Sequence, residues 1–120
     1  MKKTFKEVNK ELGLEVTSEW GIINGDANRV KEFLDYLIEN KGILDKPTKF
    51  DFCELVISSM NEAILEKKVD DELKFLFKEY IYSNLDNETY VTLIMEYWAH
   101  YANEEEMPVG FLLREILDYD

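Results

Sequence analysis

Cysteine, proline, glycine, histidine and positive charge are all scarce in this chain, and each scarcity excludes something. Cys53 is the only cysteine, so no disulfide can close within the chain and no cysteine-rich metal site can be built. Two prolines and five glycines in 120 residues leave long stretches free to be helical. Bases number 14 against 26 acids, a net charge of −12. A surface so short of lysine and arginine argues against gripping a nucleic-acid backbone or an anionic lipid surface. No window nears the roughly 18 consecutive apolar residues of a membrane span. The opening lysines Lys2 and Lys3 have no apolar stretch behind them, and Glu7 and Glu11 interrupt early. The expectation is a soluble, cytoplasmic protein without a targeting segment.

What the chain has in quantity is apolar surface. Hydrophobic residues make up 46% and aromatics 13%, too much for a disordered polymer. The length suits one domain, residues 1–120, that buries about two-thirds of the surface its unfolded chain exposes.

Helical spacing dominates the apolar pattern. Val30, Phe33, Leu34, Leu37 and Ile38 recur at i, i+3, i+4, i+7 and i+8, with Asp26 as expected N-cap and Gly42 as stop. The same template returns at Leu73, Leu76, Phe77, Tyr80 and Ile81 after Asp70–Asp71, and at Val109, Leu112, Leu113, Ile116 and Leu117 after Pro108. A further helix is expected over 48–67, opened by Pro47–Thr48 with Asp51 as a weak capping-box acid, its buried stripe Phe52, Cys53, Val56, Met60, Ala63 and Ile64. Another is expected over 87–102, capped from Asn84–Leu85–Asp86. On a uniform wheel its Tyr90, Val91, Leu93, Ile94, Tyr97, Trp98 and Tyr101 cover well over a third of the circumference, which predicts a central helix buried on two sides. Phe5, Val8 and Leu12 suggest a short helix ended by Gly13. Leu14–Glu15–Val16 alternates like a strand, and Thr17–Ser18–Glu19–Trp20 could open one more helical turn. The fold class is all-α: a single-domain antiparallel bundle of about six helices.

The charge is not spread evenly. Residues 1–60 hold 11 acids and 9 bases, a net of −2, whereas residues 61–120 hold 15 acids and 5 bases, a net of −10. Beyond Lys78, ten acids face one base, Arg114. Phe75, Glu79, Tyr82 and Asp86 share the side of their helix opposite its apolar stripe, and Phe111, Glu115 and Asp118 do the same on the last helix. Acids steer a basic partner and pair with its cations, and rings beside them supply rigid apolar anchors. The expected partner-binding set is Glu79, Tyr82, Asp86, Glu96, Glu104, Glu105, Glu106, Glu115 and Asp118. A purely solubilising surface is the alternative reading.

Catalytic signatures are missing. His100 stands alone, one turn after Glu96, where a di-metal bundle would need two Glu-x-x-His motifs. Ser58–Ser59 lack a glycine elbow, Cys53 falls on an apolar stripe, and Gly21 and Gly25 lack the lysine and spacing of a phosphate loop. No calcium-loop spacing occurs. The reading is a protein that is not an enzyme and takes no metal or cofactor.

The segment Met95–Leu117, Met-Glu-Tyr-Trp-Ala-His-Tyr-Ala-Asn-Glu-Glu-Glu-Met-Pro-Val-Gly-Phe-Leu-Leu-Arg-Glu-Ile-Leu, set in an all-helical chain with an acidic C-terminal half, resembles bacterial immunity proteins of contact-dependent growth inhibition and related polymorphic-toxin systems. The resemblance is one of overall character and carries no site residue across. It implies a one-to-one inhibitor of a cognate toxin domain, often a basic nuclease. A nucleic-acid mimic of the anti-restriction or anti-CRISPR kind, or a helical scaffold subunit, is the competing expectation, and a homo-oligomer is compatible with either.

Overall fold

The computed structural model describes residues 2–15, 19–40 and 42–117. The apolar periodicities become seven helices among them: α1 (Phe5–Leu12), α2 (Trp20–Ile23), α3 (Val30–Asn40), α4 (Lys46–Leu65), α5 (Asp71–Ser83), α6 and α7 (Val109–Leu117). α6 is continuous but not uniform, with Glu88–Tyr90 α-helical, Val91–Met95 π-helical and Glu96–His100 α-helical again. The radius of gyration, 13.5 Å, equals the roughly 13.6 Å expected of one folded domain of this length.

The central element is α4, which corrects the expectation that the 87–102 helix holds that place. Phe52, Cys53, Leu55, Val56, Ile57, Met60 and Ala63 are all fully buried. Ser58, Ser59 and Asn61 join them, so α4 is buried nearly all round. α2, α3 and α7 pack directly on it. The close approach of α2 explains the glycines that fit no phosphate loop. A methyl group on Gly21 would stand 3.0 Å from Glu54 Cβ and Leu55 N, and one on Gly25 would stand 2.7 Å from Ser58 Oγ. Ser58 completes the joint, donating its hydroxyl to the Gly21 carbonyl at 2.7 Å. Ser59 accepts from the Asp26 amide at 3.0 Å, so both serines are structural hydrogen bonders inside a helix.

Caps lie one to three residues from where the sequence suggests. Asp45, not Thr48 with Asp51, caps α4 by accepting from Thr48 N at 2.9 Å, and Pro47 stands in the first turn. Asn87 rather than Asp86 caps α6. Asp26 closes a turn by accepting from Asn28 N and lies too far ahead of Val30 to cap α3. Asp70 caps α5, accepting from Leu73 N at 2.8 Å. Gly13 ends α1 with φ +66°, the left-handed stop that glycine adopts without strain. Gly42 follows α3 by two residues. The strand-like run Leu14–Val16 and the turn Thr17–Ser18 fall largely on residues outside those described. Trp20 begins a single helical turn whose indole donates to Asn9 Oδ1.

α6 and α7 pack against each other. Gly110 meets Trp98 and Ala102, where a methyl group would collide with the Trp98 carbonyl oxygen. One turn on, Arg114 Nε donates to the Ala99 carbonyl at 2.7 Å.

Candidate functional site

The acids of the C-terminal half sit on three pieces of structure. On α5, Glu79 and Tyr82 lie on the face turned away from the buried Phe77 and Ile81, and Asp86 follows in the connection to α6. Phe75 and Tyr82 expose 61% and 54% of their surface, so this stripe forms as its spacing predicts. Phe75 is not packed under a second helix layer.

The second piece is the connection from α6 to α7, which carries Glu104, Glu105 and Glu106, all exposed. It is a tightly bonded turn. Asn103 and Met107 exchange both backbone hydrogen bonds, at 3.1 and 3.3 Å. Asn103 Oδ1 also accepts from the amides of Glu105 and Glu106. From below, the buried side chain of Asn61 on α4 donates to the Glu106 carbonyl at 2.8 Å and accepts from Val109 N at 3.1 Å. One asparagine thus fixes the acidic turn and occupies an N-terminal amide of α7. Three adjacent carboxylates repel one another, and this bonding fixes the backbone from which they project.

The third piece is the α6–α7 pair itself. Glu96 is half-buried and Glu115 exposed. Asp118 lies outside the described residues. Arg114, the one base after Lys78, turns inward to the ends of α6, bonding the Ala99 and His100 carbonyls and lying 5.5 Å from the centre of the exposed Phe111 ring. Its cation satisfies a helix C-terminus. Among the described residues every ion pair lies earlier: Lys3–Glu11, Arg29–Glu32, Lys31–Asp35 and Lys68–Glu66. None of the described acids after Lys78 has a cationic partner within 4.0 Å.

Sequence spacing misplaces Ile38, which ends the expected stripe of α3 yet exposes 64% of its surface near the helix end, and three residues of α6. Leu93, Tyr97 and Tyr101, expected in the core, expose 61%, 51% and 54%. The cause is the π-helical stretch, where the Glu96 amide donates to the Val91 carbonyl, five residues back. Such a turn advances roughly 80° per residue in place of roughly 100°. Phased that way, the buried Tyr90, Ile94, Met95, Trp98 and Ala99 close into an arc of roughly 120°. Leu93, Tyr97 and Tyr101 fall within roughly 45° of one another on the outside. The Tyr97 and Tyr101 rings stand 5.1 Å apart, and His100 meets Tyr101 edge-on at 4.7 Å. The exposed ridge ends at the residues that lead into the acidic turn.

Elsewhere the chemistry is that of a packed interior. Cys53 is buried, and loss of solvent pushes its thiol up to about 12 against a hydrogen bond with Tyr80 that pulls it down. Burial first, then Asp51 and Glu19, raises the Glu54 carboxyl above its ordinary range. No group of three or more His, Cys, Asp or Glu side chains among the described residues is arranged to hold a metal ion. No described helix is long and apolar enough to cross a membrane.

The fold and surface together define an all-α bundle whose C-terminal half presents acids beside exposed rings. Compared with protein-family models, with curated proteins and with solved structures, the chain matches none.

Proposed function

We propose that this chain is a protein-binding inhibitor of the immunity type, which neutralises a basic partner, a toxin nuclease domain, by covering it with the acidic-aromatic surface of its C-terminal half. One observation carries the reading. Ten acids follow Lys78 against a single base, that base is turned onto helix-end carbonyls, and the described acids there form no internal ion pair. A surface of uncompensated carboxylates disfavours the folded state through self-repulsion. It gains most when cations from outside meet it, and it speeds that encounter. The exposed Phe75, Tyr82 and Phe111 add the apolar area that a solubilising surface does without.

The pinned turn favours one cognate partner over a nucleic-acid mimic, because three carboxylates fixed on a single turn make a local epitope and not a phosphate-like track. The test is capture of partners from the native cell at low and moderate salt, followed by an activity assay of the recovered protein. The expected result is one basic nuclease, recovered in equal amounts and silenced at one-to-one stoichiometry. Reversing Glu104, Glu105, Glu106 and Glu115 together should weaken that complex and flatten its salt dependence. Several unrelated DNA-binding proteins would point to mimicry. Unchanged affinity in the reversed variant would remove this surface from consideration.

A further inference from the structure

The exposed ridge of α6 offers more than the acids do. Leu93, Tyr97 and Tyr101 form a continuous apolar line on a helix whose other side is fully engaged with the core. We propose that this ridge is the anchoring centre of the docking surface, and that its occupant is a basic protein face presenting arginine beside aliphatic side chains. The proposal rests on the reading above and places the binding energy within it.

Three features select that occupant. The ridge runs directly into Glu104–Glu106, so an apolar line ends at a cluster of exposed carboxylates. Arginine suits such a border, because its planar guanidinium stacks on tyrosine while pairing with carboxylate. A second copy of this chain suits it badly. A two-fold contact through the ridge would bring like acidic turns toward each other, and Arg114, the one base after Lys78, is already bonded to Ala99 and His100. The π-helical stretch strengthens the case, since such turns are rare and concentrate at functional sites. Here it turns two tyrosines and a leucine outward, whereas a uniform helix would spread the apolar residues over one broad buried arc.

The test uses the intact, isotope-labelled protein and two synthetic peptides of equal length and charge, one alternating arginine with leucine and one alternating lysine with serine. The arginine peptide should bind about tenfold more tightly, as expected of anchored over purely ionic contact. Its addition should shift the Leu93 methyl and the Tyr97 and Tyr101 ring resonances. Replacing both tyrosines (Tyr97→Ala with Tyr101→Ala) should abolish that preference and leave lysine-peptide affinity within about twofold. Equal binding of the two peptides, with the ridge resonances unmoved, would overturn the anchor and leave the acidic-surface reading standing. Shifts centred on Phe75 and Tyr82 would move the anchor to α5. Binding of neither peptide at low salt would overturn both readings. Sedimentation of the free protein should show a monomer, and a dimer dissociated by Tyr97→Ala would assign the ridge to self-association instead. Resonance mapping on the unaltered chain keeps the test decisive even if the double variant unfolds.

Discussion

Asn61 is the residue through which fold and site are most directly joined, and replacing it with alanine should show that. Its side chain makes two hydrogen bonds, one to the Glu106 carbonyl and one from Val109 N, the second in buried surroundings. Alanine removes both. The Glu106 carbonyl belongs to an exposed turn and can turn to water, so its loss amounts to about 1 kcal/mol. Val109 is fully buried, and its amide, left without an acceptor, adds about 1–2 kcal/mol more. Asn61→Ala should therefore destabilise the protein by about 2–3 kcal/mol, lowering the melting temperature by about 10 °C. Urea unfolding followed by circular dichroism measures the first quantity, with an unchanged slope expected because the surface exposed on unfolding is the same. Hydrogen exchange supplies the local readout: the Val109 amide and those of Glu105 and Glu106 should exchange faster in the variant. Asn103→Ala is the control. It breaks only exposed bonds, those from the Glu105 and Glu106 amides and a long one to the Tyr101 carbonyl, and should cost about 1 kcal/mol or less. A loss below about 0.5 kcal/mol for Asn61→Ala, or equal losses for the two variants, would refute the idea that α4 holds the acidic turn.

Other expectations follow from single contacts. Gly110→Ala should cost about 2 kcal/mol or more, since the added methyl meets backbone of α6 that cannot swing away. Gly13→Ala, in open space but at φ +66°, should cost only about 1 kcal/mol, and denaturant midpoints compare the two. The thiol of Cys53, pushed up to about 12 by burial, should react with an aromatic disulfide reagent at pH 8 only as fast as the protein unfolds. Rapid modification of the native state would contradict its burial. Glu54, raised chiefly by desolvation and then by Asp51 and Glu19, binds its proton more tightly folded than unfolded. Stability should therefore fall as pH rises from the ordinary carboxylate range through the raised folded value. Glu54→Gln should flatten that part of the profile and stabilise at neutral pH by less than about 1 kcal/mol, because the group is only half-buried.

Most of the helices are legible in the sequence because burial there follows one period. α3, α5 and α7 bury Val30, Phe33 and Leu34, then Phe77 and Ile81, then Val109, Leu112, Leu113 and Ile116, as the i, i+3, i+4 template requires. Caps are less legible, since Asp and Asn crowd every candidate start. Choosing Asp45 over Thr48 or Asn87 over Asp86 depends on a hydrogen bond one residue wide. The centrality of α4 escapes for a different reason. Its extra buried positions are Ser58, Ser59 and Asn61, polar residues that a hydrophobic pattern assigns to solvent. They are inside because α2, the Asp26 amide, the acidic turn and the start of α7 supply their hydrogen-bond partners.

The same limit decides how the site reads. Glu79, Glu104, Glu105, Glu106 and Glu115 are exposed as their wheel positions or charges suggest, because a carboxylate without a cation favours water over burial. Tyrosine and leucine carry no such instruction. Whether Tyr97 faces in or out depends on the phase of its helix, and five π-helical residues upstream change that phase. A wheel drawn at constant pitch merges Tyr90 and Trp98 with Leu93, Tyr97 and Tyr101 into one broad stripe and takes its width for double burial. The actual helix splits the stripe in two. One half packs against the core, and the other, fully formed and unopposed, stands beside the acids. The excess apolar width of a helix in an acidic chain is therefore better weighed as a second surface than as a deeper core, and the shift of Tyr97 and Tyr101 resonances on adding an arginine-rich peptide is the observation that separates the two.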